Sequence, residues 1–354
     1  MPGSAWTERL AGLRPGRFDV HTHAIDPDLP DVGSVYGGSF PSIERTGTRT
    51  ARMIVDGRAY REIDERCWSP SARLRDMDAE GVAVQVLSPI PVTLCHEQPA
   101  DGAAELARVQ NDFLAGMVAE APHRFLALGA VPMQDPARAV AELTRCVHEL
   151  GFLGVEIGTR VGDLELANPV FLPFFEAASQ LSAVILVHPV DRALDARLGR
   201  LGFGFGLGMP FETSVAAAAL LAARTLDAAP GARIVLAHGA GSFPAILPRL
   251  DRGQLLVDAD MDASQLASAR ARRLWCDSLT YDVASLELAV GRFGTGHVVL
   301  GTDYPFAARE CPAGAVFDGL DTELRSRLEG INAQALCADV GAKPPHLQQE
   351  RFPA

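Results

Sequence analysis

Eight short runs rich in Val, Ile and Leu recur along the 354-residue chain, and each is followed by a stretch of helical character. They are RFDVHTH (17–23), VAVQVLSP (82–89), RFLALGAVP (124–132), FLGVEIG (152–158), AVILVHP (183–189), RIVLAHG (233–239), RLWCDSL (273–279) and HVVLGTDYP (297–305). Nearly continuous apolar strands need cover on both faces, and parallel strands joined by helices obtain it. Amphipathic segments at 71–80, 102–120, 136–150, 169–181, 212–229 and 282–292 lie between them. Eight such units in about 300 residues fit a closed (β/α)8 TIM barrel better than an open sheet. An open doubly wound sheet more often carries a glycine-rich phosphate loop after its first strand, where this chain has HTHAIDPDLP.

The chain is therefore read as one barrel domain spanning 1–354. Residues 26–68 are too long for a simple connection and read as an insertion after strand 1, a small hairpin over the barrel mouth. A second long loop, 190–211, follows strand 5; its glycines and phenylalanines suggest a lid that shields a site. The tail from about 341 to 354 reads as an extended arm. A net charge of −12 argues against nucleic acid as a partner, since phosphate binding needs clustered positive charge. No apolar run is expected to span a membrane, and MPGSAWTERLAGLRPGR lacks the unbroken apolar core of a signal peptide. The six cysteines are scattered without ligand-like pairing, which suits reduced thiols in the cytoplasm. Lys343 is the only lysine, so the body of the fold offers none for a Schiff base or a carbamylated metal bridge.

In such barrels the active site lies at the C-terminal ends of the strands. His21 and His23 share one face of strand 1, because successive side chains on a strand alternate. His188 ends strand 5, His238 ends strand 6 and Asp303 ends strand 8. Four of the nine histidines thus gather at three strand ends. The paired His21 and His23 alone are weak evidence for a metal; His188 or His238 alone reads equally well as a hydrogen-bonded core residue, and Asp303 as a turn cap. Together, three histidines and a carboxylate can hold one divalent cation and leave a coordination position for water or substrate. Glu156 on strand 4 reads as a hydrogen-bonded or salt-bridged residue near the mouth, with a bridge between two metals as the alternative. Asp19 reads as structural or as a support to the ligands.

DVHTH, WSPSARLRDMDAEGVAVQVLSP, VQNDFLAGMVAEAPHRFLALGAVPMQD, LVHP, HGAGSFP and LGTDYPF together resemble the amidohydrolase superfamily. Within it they are similar to the decarboxylase branch typified by 2-amino-3-carboxymuconate 6-semialdehyde decarboxylase, over about residues 17–340. The resemblance implies a barrel with one zinc-like ion on His21, His23, His188 and Asp303, with manganese as the other metal considered. It implies that His238 is the catalytic histidine, activating the metal-bound water or shuttling a proton, with Asp303 as the second catalytic residue. It also places Arg61 at a substrate carboxylate, and Arg249 in the neighbouring subunit's site of a homodimer. The family representative has an aromatic residue where this chain has Val190, and tryptophans where it has Leu201, Phe203 and Phe205. These differences are expected to change the pocket wall and leave the substrate unassigned.

The implied activity is metal-dependent nonoxidative decarboxylation of an unsaturated or aromatic carboxylic acid. The runner-up is a hydrolase or hydratase acting on a lactone, amide or conjugated acid, and two ions per subunit with Glu156 coordinating would favour it. A noncatalytic metal-binding protein is the reading from another class; full metal loading without activity on a broad acid panel would favour that.

Overall fold

The computed structural model describes residues 2–341. The expected arm at 341–354 therefore lies outside the described residues beyond Gly341. Strands β1 (Arg17–Ala24), β2 (Val82–Pro89), β3 (Phe125–Gly129), β4 (Gly154–Gly158), β5 (Val184–His188), β6 (Arg233–Leu236), β7 (Trp275–Asp277) and β8 (Val298–Val299) pair in chain order, all parallel. The chain just after β8 closes the ring onto β1. Val20 N–H donates to Leu300 O at 2.9 Å, Asp303 N–H to His21 O at 2.9 Å, and His23 N–H to Tyr304 O at 2.7 Å. Helices lie between the strands, as a parallel barrel requires.

Local signals account for several helix ends. Ser69 Oγ accepts from Ala72 N–H and Pro70 occupies the first turn of helix Pro70–Glu80, which ends on left-handed Gly81. Asp135 and Asp282 cap Pro136–His148 and Val283–Phe293 in the same way. A helix at Phe243–Val257 escapes the periodicity because Pro248 sits inside it.

The insertion is larger than a hairpin. Helix Val32–Tyr36 precedes a three-stranded antiparallel sheet, Ser42–Arg45, Thr50–Val55 and Arg58–Asp64. Asp56 and Gly57 both take positive φ (52° and 69°), the backbone that an Asp-Gly hairpin turn favours. Ala51, Met53, Val55 and Ile63 turn inward against Ile25, Ile90 and Val92, seating the sheet beside the ends of β1 and β2.

The 190–211 loop also has structure of its own: short turns at Asp191–Ala193 and Ala196–Arg200, then a π-helical turn, Gly204–Gly208. That turn runs into helix Met209–Ala222. By length and composition alone Gly204–Ala222 could cross a bilayer. Here Ala216, Ala217 and Leu220 pack fully buried in the barrel core. Three bonds tie the loop to the insertion: Tyr60 OH donates to Asp191 at 2.7 Å, Arg192 pairs with Asp56 at 2.9 Å, and Arg192 Nη1 donates to Ser39 O at 3.4 Å.

Gly154, at the start of β4, has φ 154°, and a Cβ there would sit 2.0 Å from Val184 O. Gly154→Ala should therefore break the β4–β5 pairing and destabilise the protein by roughly 3 kcal/mol. Urea unfolding measures this, and a variant within about 0.5 kcal/mol of the parent would show that the strand adjusts.

Candidate functional site

The inward parity of β1 places Asp19, His21 and His23 in the barrel, and all three are buried. His188, the last residue of β5, comes up beside them. The ring centroids of His21, His23 and His188 lie 5.0 to 5.1 Å apart. His238, in the turn after β6, lies 4.7 Å from His188 and 5.3 Å from His21 by the same measure. Asp303 follows β8 with φ 63°, a conformation that non-glycine residues seldom adopt. Gly301 permits this approach, since a Cβ there would lie 2.8 Å from the Cβ of His21.

The hydrogen bonds at the outer nitrogens fix what the inner ones do. His21 Nδ1 lies 2.6 Å from Asp277 Oδ2, His23 Nδ1 2.7 Å from Pro89 O, and His188 Nδ1 2.8 Å from Pro189 O. A neutral imidazole that donates from Nδ1 has only a lone pair at Nε2. His21 Nε2 and His23 Nε2 nevertheless lie 3.1 Å apart. Asp303 Oδ1 is 3.0 Å from His23 Nε2 and 3.8 Å from His21 Nε2. His188 Nε2 and Asp303 Oδ1 have no hydrogen-bond partner of their own. Lone pairs and a carboxylate facing one another in a dry barrel repel unless positive charge lies between them. Ligand atoms around one tetrahedral Zn²⁺, at about 2.0–2.2 Å from the ion, stand roughly 3.3–3.6 Å apart. The donor set and its spacing thus fit a divalent cation.

Two overlapping groups meet this condition. His21, His188, His238 and Asp303 offer atoms all within 4.8 Å of one another, as do His23, Glu156 and His188. Glu156 is fully buried and neither of its oxygens has a hydrogen-bond partner.

Burial holds His23 down to about 4, and holds His188 and His238 below the usual histidine range, so these rings are neutral near pH 7. Burial also opposes charge on His21, but Asp277 outweighs it and lifts the ring to about 9. The protein without its ion thus attracts a proton where a cation would sit. Burial alone would raise Asp303; its histidine neighbours outweigh that and hold it ionised.

A cavity of about 480 Å³ opens above this cluster, walled by Arg61, Ile90, His188, Phe205, Asp303 and Phe306. Arg61 lies 4.1 Å over the ring of Phe306, which in turn stacks on His23 with centroids 5.4 Å apart. The insertion thereby delivers Arg61 to the site. His238 opens instead into an adjoining space of about 340 Å³; Phe205 and Met209 belong to both walls. Arg249 does not reach either: it is exposed on helix Phe243–Val257.

Two expectations about the pocket wall need correction. Val190 packs with Leu94, Ala107 and Ala130 and lines a separate space of about 170 Å³. Leu201 and Phe203 are exposed to solvent, leaving Phe205 as the one of the three loop residues in the main wall. Asp277 is the participant that the sequence reading omitted. Its position at the end of a barrel strand, like that of His188, was the available signal.

Above about pH 6.5, where His23, His188 and His238 are neutral in both the folded and unfolded chain, the site without its ion should make stability fall with pH. Burial raises Glu156 to about 8, against an ordinary value of 4.5. The folded value lies above the unfolded one, so the stabilisation is complete below about pH 4.5 and is lost as pH rises through about 8. We expect the Tm of chelator-treated protein to drop between about pH 6.5 and 8, and Glu156→Gln to flatten the drop. An unchanged slope in that variant would assign the loss elsewhere, with His21, lifted to about 9, and Asp19, raised by burial to about 7, the next candidates.

Residues 18–336 match the amidohydrolase family profile. The chain is 33% identical to 2-amino-3-carboxymuconate-6-semialdehyde decarboxylase of Dictyostelium discoideum, over 86% of each chain. It is 31% identical to the Caenorhabditis elegans protein of the same name, over 85% of this chain and 88% of that one. Among solved structures, a dihydroxybenzoic acid decarboxylase from Polaromonas sp. JS666 with bound manganese superposes with a TM-score of 0.73 at 23% identity. The match covers 91% of this chain and 96% of that one, and supports the barrel fold. With a profile match across nearly all of the barrel and relatives above 30% identity over most of their length, the chain belongs to the amidohydrolase family.

Proposed function

We propose that the protein is a metal-dependent nonoxidative decarboxylase of an unsaturated or aromatic carboxylic acid. The observation that carries this reading is the convergence of three buried imidazoles and Asp303 beneath a cavity walled by Arg61, with a neutral His238 beside it. The relatives named decarboxylases supply the reaction class. His21, His23, His188 and Asp303 would hold the ion. An imidazole-rich donor set suits zinc, with manganese, the metal bound in the Polaromonas structure, as the alternative. When bound, a divalent cation supplies positive charge that polarises the oxygens of the substrate.

The remaining work falls to the chain. Arg61, braced on Phe306, orients an acidic group of the substrate. His238 is neutral, so it can take a proton from water and deliver it to the carbon that bears the carboxylate. The carbon–carboxylate bond then breaks, its electron pair restores the conjugated system, and carbon dioxide leaves. Phe205, Phe306 and Ile90 keep the reacting face apolar, which favours loss of a charged carboxylate as a neutral gas.

The protein works as a homodimer in this reading, with Arg249 entering the site of the other subunit. The exposure of Arg249 supports it, as do the exposed side chains of Leu201, Phe203, Phe205, Leu207 and Phe211, apolar surface of a kind that proteins cover on association. The scattered, unpaired cysteines support a cytoplasmic location. The Glu156 group favours one second reading, hydrolysis or hydration with two ions.

Incubation of the zinc- or manganese-loaded protein with a panel of aromatic and muconate-type acids should release carbon dioxide at one equivalent of metal per subunit. Two equivalents and no carbon dioxide would favour the hydrolase. His238→Ala should lower kcat about 10²- to 10⁴-fold while metal content stays unchanged; full activity in that variant would refute the role. Arg249→Ala and His238→Ala subunits, each inactive alone, should regain activity when mixed. The hybrid dimer has one site with both residues, and failure of rescue would place Arg249 outside the site.

A further inference from the structure

Asp277 takes no part in the mechanism above, yet its fully buried carboxylate accepts four N–H groups. Oδ2 lies 2.6 Å from His21 Nδ1 and accepts from His238 N–H at 2.8 Å. Oδ1 accepts from Gly239 N–H at 2.7 Å and from Leu279 N–H at 3.1 Å. One side chain therefore grips a candidate metal ligand and the backbone that carries the proton-transfer histidine.

That backbone needs a grip. His238, Gly239, Ala240 and Gly241 all have positive φ, at 58°, 61°, 65° and 61°. Histidine and alanine are disfavoured in the left-handed region, so the turn holds this shape only where its surroundings impose it. The first two N–H groups of the turn both point to Asp277, one at each oxygen.

We propose that Asp277 is a positioning residue that fixes His21 as a metal ligand and His238 as a proton carrier at the same time. Neither function requires it to touch substrate. Orienting His21 by its Nδ1–H leaves Nε2 free to ligate, and a carboxylate in this position also makes the imidazole a better donor to a cation. Holding the 238–239 amides sets where the His238 ring enters the site. Because Oδ2 serves both, an error in one is felt by the other.

The bonding pattern makes the usual conservative replacement a sharp test. All four partners donate, and only a carboxylate offers acceptors on both sides. In Asp277→Asn the amide nitrogen faces two donors in either orientation. One orientation abandons His21 and His238, the other Gly239 and Leu279; both loosen the turn. The inference rests on the proposed metal-dependent reading, and the experiment separates the two by measuring zinc affinity independently of turnover.

Zinc affinity is measured by competition with a chromophoric chelator, and kcat at saturating zinc, for the parent, Asp277→Asn and His238→Ala. We expect Asp277→Asn to lose about 10- to 100-fold in zinc affinity and also to lose kcat when saturated. His238→Ala should lose kcat alone. A folded Asp277→Asn protein with parental zinc affinity and kcat overturns the proposal, as does one that only melts earlier. Should that variant fail to fold, zinc-loaded parent protein labelled with ¹⁵N-histidine decides. A strongly deshielded proton on a ring nitrogen, the mark of a short imidazole–carboxylate bond, supports the grip on His21, and its absence overturns it. Weakened zinc binding in Asp277→Asn, with no acid decarboxylated by the parent, would remove the proposed reaction and the proton-carrier half of this role, and leave the hold on His21 as a metal ligand standing.

Discussion

Lone pairs that face one another and call for positive charge between them are the constraint on which this molecule turns. His21, His23 and His188 each commit their outer nitrogen to a fixed acceptor. Their inner nitrogens are then obliged to point at a common spot. In water such an arrangement would relax by rotating or by recruiting solvent. Inside a barrel of nearly complete burial neither escape is open, and the residues stay where a cation can use them. The acceptors that achieve this are ordinary ones: two carbonyls belonging to prolines at strand ends, and one aspartate.

Barrel closure and site assembly are one event here. The bonds that join β1 to the chain after β8 use the backbones of His21, His23, Asp303 and Tyr304. Asp19 adds a second tie, accepting from Thr302 Oγ1 at 2.6 Å and from Thr302 N–H at 3.1 Å. A chain that failed to close would scatter its donors; a chain that closes brings Asp303 beside His23 without further adjustment. The stability of the ring and the geometry of the centre thus draw on the same few residues.

The parts of this design that sequence discloses are those governed by a simple period. Alternation on β1 and the position of His188 at a strand end suffice to bring three imidazoles together. Asp303 is legible for the same reason, although only Val298 and Val299 of its run pair as strand. What the sequence hides depends on direction rather than spacing. Val190 follows His188 closely but packs with Leu94, Ala107 and Ala130 and faces another cavity. Leu201 and Phe203 face solvent because the loop coils into short helical turns that no apolar period announces. Asp277 ends its strand as His188 does, but nothing in RLWCDSL reveals that Leu279 and three donors from other segments all meet its carboxylate. The strand Ser42–Arg45 went unseen because the short link that turns it into Thr50–Val55 has no Asp-Gly signal like the one at Asp56-Gly57, which marks only the hairpin of Thr50–Val55 with Arg58–Asp64.

The bonds from Tyr60 to Asp191 and from Arg192 to Asp56 join segments that belong to two different βα units. The roof of the cavity is consequently a single woven piece with two roots in the barrel. Exchange of one root between homologues would strand the charges of the other, so a shuffled gene that inherits only half of the weave would encode a leaking enclosure. Diversification of what this enclosure admits should accordingly leave paired scars, one in each segment, in the lineages that have undergone it.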